Sequence, residues 1–120
     1  MTEKDSDRED RISMEATVDA YDSEERSLGW YYYLADKISF PFSAKCIVVD
    51  KRTPLKLKEV IKAEQMSGEN YCEHDMYVDI SWNGQVLAVP LTQIQPLDAD
   101  DDTIEVVGDW HYLKMRGSVF

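Results

Sequence analysis

Basic residues are scarce in this chain: 13 Lys and Arg stand against 24 Asp and Glu in 120 residues, a formal charge of -11. Nucleic acids and anionic lipids are held chiefly by cationic side chains, so that balance argues against both as partners. It favours cations or a basic partner protein instead. Histidine and cysteine are limited to two each, and the five glycines are scattered. No glycine-rich phosphate loop can be assembled, and no Ser-His-Asp or Cys-His nucleophile is recognisable, so an enzyme is not expected. Cys46, Cys72, His74 and His111 are soft zinc ligands by type, but no CxxC or HxxxH spacing supports a zinc site. The cysteines form no disulfide framework and read as reduced residues of a cytosolic protein. No apolar run approaches the length of a membrane span, and the first ten residues are polar and acidic, unlike a signal peptide.

What the chain does have is a single-domain supply of apolar residues, 43% of the total. Residues 1–9 alternate in charge and read as a disordered acidic tail, ahead of one domain over 10–120. A first helix is expected at about 10–21, with Ile12, Ala16 and Tyr21 inward. Asp22 or Ser23 can cap a second, whose first turn carries Glu24 and Glu25. That helix holds Gly29-Trp30-Tyr31-Tyr32-Tyr33-Leu34; Leu28, Tyr31, Tyr32, Ala35 and Ile38 follow the spacing of an inward stripe, and Trp30, Tyr33 and Leu34 widen it, so burial on more than one side is expected. Phe40-Pro41-Phe42 stops it. Lacking basic neighbours, the tyrosine row suits core packing better than base stacking. Asp36 is the anomaly: it sits in the last turn, where free carbonyls already carry negative charge and a cation is preferred. Lys37 or a bound metal ion would relieve it.

After Ser43 the period shortens to two. Residues 44–49 read as a strand and 59–66 as another. A hairpin closes at Asn83-Gly84, pairing Ile80 with Leu87, Val78 with Val89 and Met76 with Leu91, all on one face. Residues 94–97 add a closing strand, and Pro90 and Pro96 mark strand ends or sheet edges. The expected fold is therefore α+β: helices at about 10–38 packed on a small SH3-like antiparallel barrel at about 43–97, with a C-terminal helix at about 101–115. Before that last helix stand Asp98, Asp100, Asp101 and Asp102. Asp98, Asp100 and Asp102, with Asp109, occupy EF-hand positions, but Thr103 replaces the turn glycine and Glu105 the apolar residue, so an EF-hand is not expected.

Several of these segments, taken in order, resemble a known family. Asp19-Ala20-Tyr21, Glu24-Glu25-Arg26, the aromatic run from Gly29 to Leu34, Phe40-Pro41-Phe42, Cys46, Cys72-Glu73-His74, Ala88-Val89-Pro90-Leu91 and Asp109-Trp110-His111-Tyr112 resemble the cyanobacterial calcium-binding proteins typified by CcbP. The resemblance implies a small acidic cytosolic protein that binds calcium without EF-hands and buffers or sequesters it. Calcium takes six to eight oxygen ligands in irregular geometry. The candidate ligands are Asp36, Glu73, Asp75, Asp98, Asp100, Asp101 and Asp102, with Asp36 favoured. The competing reading is an acidic SH3-like interaction module or DNA mimic that holds a basic protein and no specific metal.

Overall fold

The computed structural model describes residues 6–16 and 22–117. Helix α1 (Ser6–Arg11) runs into a π-helical turn (Ile12–Ala16), and α2 spans Ser23–Lys37. Strands β1 (Phe42–Cys46), β2 (Val60–Met66), β3 (Tyr77–Trp82), β4 (Gln85–Pro90) and β5 (Ile94–Asp98) follow, then α3 (Asp101–Met115). The strands form one antiparallel sheet in the order β4-β3-β2-β1-β5. The α+β class is as expected. The sheet is open, however: among the described residues its edges β4 and β5 do not pair with each other, so a closed barrel is not formed. Register shifts between Ser43 and Ala44 and between Ala63 and Gln65 give the sheet its bends. Pro90 and Pro96 both fall on edge strands, where no neighbour needs their missing N–H.

The hairpin has the expected register, Ile80 opposite Leu87 and Val78 opposite Val89. Asn83 (φ 50) and Gly84 (φ 76) both occupy the left-handed region that the type I′ turn demands. Two expectations are corrected. Trp30, Tyr33 and Leu34 of α2 are buried as expected, with Ser27 and the C-cap Ile38, but Tyr32 is 56% exposed and Leu28 and Ala35 also face out, so the helix is buried on one face and not on more than one side. Apolar residues ring this helix, so periodicity alone could not choose the face. Trp30 decides it, meeting Trp110 of α3 edge-on at 5.0 Å between ring centroids. Strand β1 lies earlier than expected, burying Phe42, Ala44 and Cys46, and Ile47-Val48-Val49 leave the sheet for solvent.

Ile12 and Ala16 are buried as expected, while Tyr21 lies outside the described residues. Helix α1 begins at Ser6, inside the stretch that composition marks as a tail, because its cations have a destination. Asp109 on α3 has no solvent exposure. Arg11 donates to it from Nη2 (2.6 Å) and Nε (3.2 Å), Arg8 Nε lies at 3.2 Å, and the Tyr33 hydroxyl donates at 2.9 Å. Burial and this hydrogen bond push the Tyr33 phenol well above its ordinary value. Tyr112 of α3 donates back to Glu9 at 2.7 Å. Gly108 lets Arg8 in: a Cβ there would stand 3.2 Å from the guanidinium.

His111, half-buried on α3, donates Nε2–H to the Leu91 carbonyl at 2.8 Å. Desolvation holds its proton affinity below the ordinary imidazole value, so the fold favours the neutral ring.

Asp109→Ala should destabilise the protein by about 3–5 kcal/mol, because it removes the buried acceptor shared by Arg8, Arg11 and Tyr33 and leaves Arg11 with the half-exposed Glu105. Urea unfolding measures this, and a loss under about 1 kcal/mol would contradict it. The unfolded chain binds the His111 proton more readily than the native state, so stability should fall as pH drops below about 6.5 and level off below the folded-state value. Midpoints compared at neutral and mildly acidic pH report it, and His111→Gln should flatten that part of the curve.

Candidate metal centre

The acids divide according to the cations available to them. Asp75 is 8% exposed and fully engaged: Arg52 Nη1 donates to Oδ2 at 2.8 Å, Met76 N–H to Oδ1 at 2.8 Å, and Lys114 Nζ stands 3.9 Å away. Arg52 is held in turn by Asp50, whose carboxyl it keeps below the usual carboxylate range. Asp100 caps α3, accepting from Thr103 N–H at 2.8 Å and from the Ser39 hydroxyl at 2.6 Å, and these donors lower its proton affinity. Asp101 and Asp102 lie in the first turn of α3, where the helix dipole favours them. Asp98 ends β5 opposite Ser43. From Asp101 onward the EF-hand window is already helix, so the loop that register would need does not form.

Asp36 and Glu73 are different. Both are exposed, and neither makes an ion pair or side-chain hydrogen bond among the described residues. No ion pair joins Lys37 to Asp36 within that set either. Asp36 faces a cleft shared with Glu15 of the π-helical turn, Gly29, Tyr32 and Lys37. At that end of α2 the Ile38 N–H takes the Leu34 carbonyl, and the later carbonyls lie beyond the helical ladder. Glu73 lines a second groove with Glu24, Glu69 and the Asn70 amide, over a floor of Leu28, Tyr31 and Cys72. The groove is pinned by Tyr31, which donates to the Ser67 carbonyl at 2.8 Å, and by the Tyr32 hydroxyl on Glu69.

The two clefts sit toward opposite ends of α2, whose 15 residues span about 22 Å. Asp100, bonded to Ser39, belongs to the Asp36 end. The fold therefore does not join Glu73 to the aspartate run. Glu15, Glu24 and Glu69 were not singled out in the sequence. Their partners are remote in the chain, and Glu24 already had a sufficient role at a helix start.

Among the described residues, no three Asp, Glu, His or Cys side chains converge into a ready-made metal cage. The soft-ligand set is dispersed too: Cys46 accepts from Gln93, Cys72 lies against the Tyr77 backbone, and His111 is engaged with Leu91. What the clefts offer is carboxylate pairs with peptide or amide oxygens and room for water, a donor set suited to a hard cation.

Comparison with known proteins agrees with that chemistry. The crystal structure of Anabaena CcbP superposes with a TM-score of 0.88 at 40% identity, covering 99% of this chain and 98% of the other. A calcium binding protein in its calcium-binding form superposes at 0.86 with 39% identity, covering 98% and 96%. No curated protein matches the chain. The CcbP family model, described as calcium binding, matches residues 10–113, and the chain belongs to that family.

Proposed function

We propose that this protein binds calcium ions directly, without an EF-hand, and acts as a cytosolic calcium buffer or sequestering protein. The observation that carries this reading is its likeness along almost its whole length to a relative solved in a calcium-binding form. The charge distribution supports it physically. Arginines take up Asp50, Asp75 and Asp109, and Asp100 is engaged as a helix cap. The cleft carboxylates, Asp36 with Glu15 and Glu73 with Glu24 and Glu69, have no ion-paired protein cation among the described residues.

Asp36 is the primary ligand in this proposal, assisted by Glu15 and peptide oxygens at the end of α2. Glu73, with Glu69 and Asn70, forms a second and weaker site. Asp98, Asp101 and Asp102 add to the field that concentrates calcium near Asp36, while Asp75 and Asp100 serve the fold. Few protein ligands and much coordinated water give a site that releases its ion readily, which suits buffering better than tight storage. The alternative, an acidic SH3-like module for a basic partner, has a groove at Glu73 to recommend it but no relative that carries it.

Calorimetric titration should give saturable calcium binding that persists in magnesium. Asp36→Asn should weaken one site at least tenfold, about 1.4 kcal/mol, with unchanged helicity by circular dichroism. Unchanged affinity would remove Asp36 from the site. Calcium at about 100 times Kd should raise stability by about 2.7 kcal/mol, seen as a higher Tm.

A further inference from the structure

The segment between β1 and β2 reverses the sign of the molecule. Residues 47–59 hold Lys51, Arg52, Lys56 and Lys58 against Asp50 and Glu59, a local charge of +2 in a chain of -11, and Lys45 and Lys62 on the flanking strands raise it to +4 over residues 45–62. Both acids are turned to internal use: Asp50 grips Arg52, and Glu59 accepts from Lys56 N–H and from Trp82 Nε1, each at 2.9 Å. Arg52 is turned inward as well, onto Asp75 and the Tyr77 hydroxyl. Lys51, Lys56, Lys58 and Lys62 remain outside, with no ion pair among the described residues.

Aliphatic side chains stand among these lysines. Val49 is 70% exposed, Leu57 55% and Val48 47%, and Val60 beside them on β2 is 65% exposed. The loop is also built to hold its shape. Cys46 and Lys58 to Glu59 close its neck by two backbone hydrogen bonds of 2.8 Å, and Ile47 N–H donates to the Gln93 carbonyl. Leu55 is buried, and Thr53 donates to Gln93 Oε1 at 2.8 Å. Lys58, beside exposed Leu57, is held at φ 69, a region that residues with side chains seldom occupy.

A fixed tip of valine, leucine and lysine matches one class of partner better than others. Protein interfaces favour aromatics and arginine and are poor in lysine. Single-stranded nucleic acid is held by aromatic stacking, which this loop cannot supply. Lysine stems lie along apolar surface while their ammonium groups reach the phosphates, and small aliphatics enter the acyl boundary. Net charge argued against anionic lipid, but charges farther away than about 8 Å are largely screened at physiological ionic strength, so the local sign governs contact. We propose that the β1–β2 loop is a peripheral docking tip for an anionic bilayer surface, through Val48, Val49 and Leu57 with Lys51, Lys56 and Lys58.

The test is co-sedimentation of the full chain with phosphatidylcholine vesicles, with and without phosphatidylglycerol. EDTA is present so that calcium cannot bridge carboxylates to phosphates. The protein should pellet with the anionic vesicles, remain soluble with the neutral ones, and be released by high salt. Lys56→Glu with Lys58→Glu should lower partitioning more than tenfold, since each lysine near the surface is worth roughly fivefold. Val49→Ser with Leu57→Ser should lower it too, and both pairs should keep the circular dichroism spectrum and calcium affinity of the parent. No pelleting at low salt, binding only when calcium is present, or equal binding by either variant would overturn the proposal. Capture of a soluble acidic polypeptide or RNA without vesicle binding would do the same.

Discussion

A carboxylate removed from water is costly unless the protein replaces the lost hydration with donors and opposite charge. Asp109 meets that condition by drawing on α1 for Arg8 and Arg11 and on α2 for Tyr33. Three helices are thus registered on one side chain. The rest of the structure follows from this junction. It brings Trp30 against Trp110 and ties α1 to α3. It also carries the π-helical turn to the end of α2, where Glu15 meets the cleft of Asp36. Without the clamp, the first segment would be held chiefly by Ile12, Ala16 and the Glu9–Tyr112 hydrogen bond, and the wall it gives that cleft would be less firmly placed.

Local chemistry was legible in the sequence wherever a short-range rule acts alone. The Asn83-Gly84 turn, the Asp22 cap and the edge positions of Pro90 and Pro96 each rest on backbone geometry that neighbours cannot override. The face of α2 was not legible, because Leu28, Tyr31 and Tyr32 compete with Trp30, Tyr33 and Leu34, and only packing against Trp110 ranks them. β-Branched character likewise extended the first strand too far: Ile47-Val48-Val49 are good strand formers that lie beyond the end of β1. The cleft at Asp36 was half legible. A carboxylate at the wrong pole of a helix is visible in one dimension, but Glu15 reaches it only through the Asp109 junction, which nothing in the local sequence announces.

The division of labour between arginine and lysine explains why some acids are neutralised and others are left. Among the described residues, every cation that pairs with Asp50 or Asp109 is an arginine, and the nearest cation to Asp75 is one as well. A guanidinium is more weakly hydrated than an ammonium and offers a planar fork, so it can be drawn partly out of water to serve two acceptors at once. Arg52 does this for Asp50 and Asp75 together. Lysines, strongly hydrated, remain at the surface, and Lys37 leaves its neighbour Asp36 unpaired among the described residues. The acids that face solvent in clefts are therefore the remainder of a selection made by hydration.

That selection has a spatial consequence. Once Arg8, Arg11 and Arg52 are committed to the carboxylates they pair with, the sign of the surface is set largely by where lysines and carboxylates stand along the chain. Lysines collect in the β1–β2 segment, while carboxylates dominate α2, the loop before β3 and the start of α3. A molecule with a net charge of -11 thereby keeps one positive projection. The two regions act over short range because salt screens each from the other. Calcium drawn to the acidic clefts and an anionic surface drawn to the lysine tip therefore need not compete, and occupancy of one leaves the other contact available.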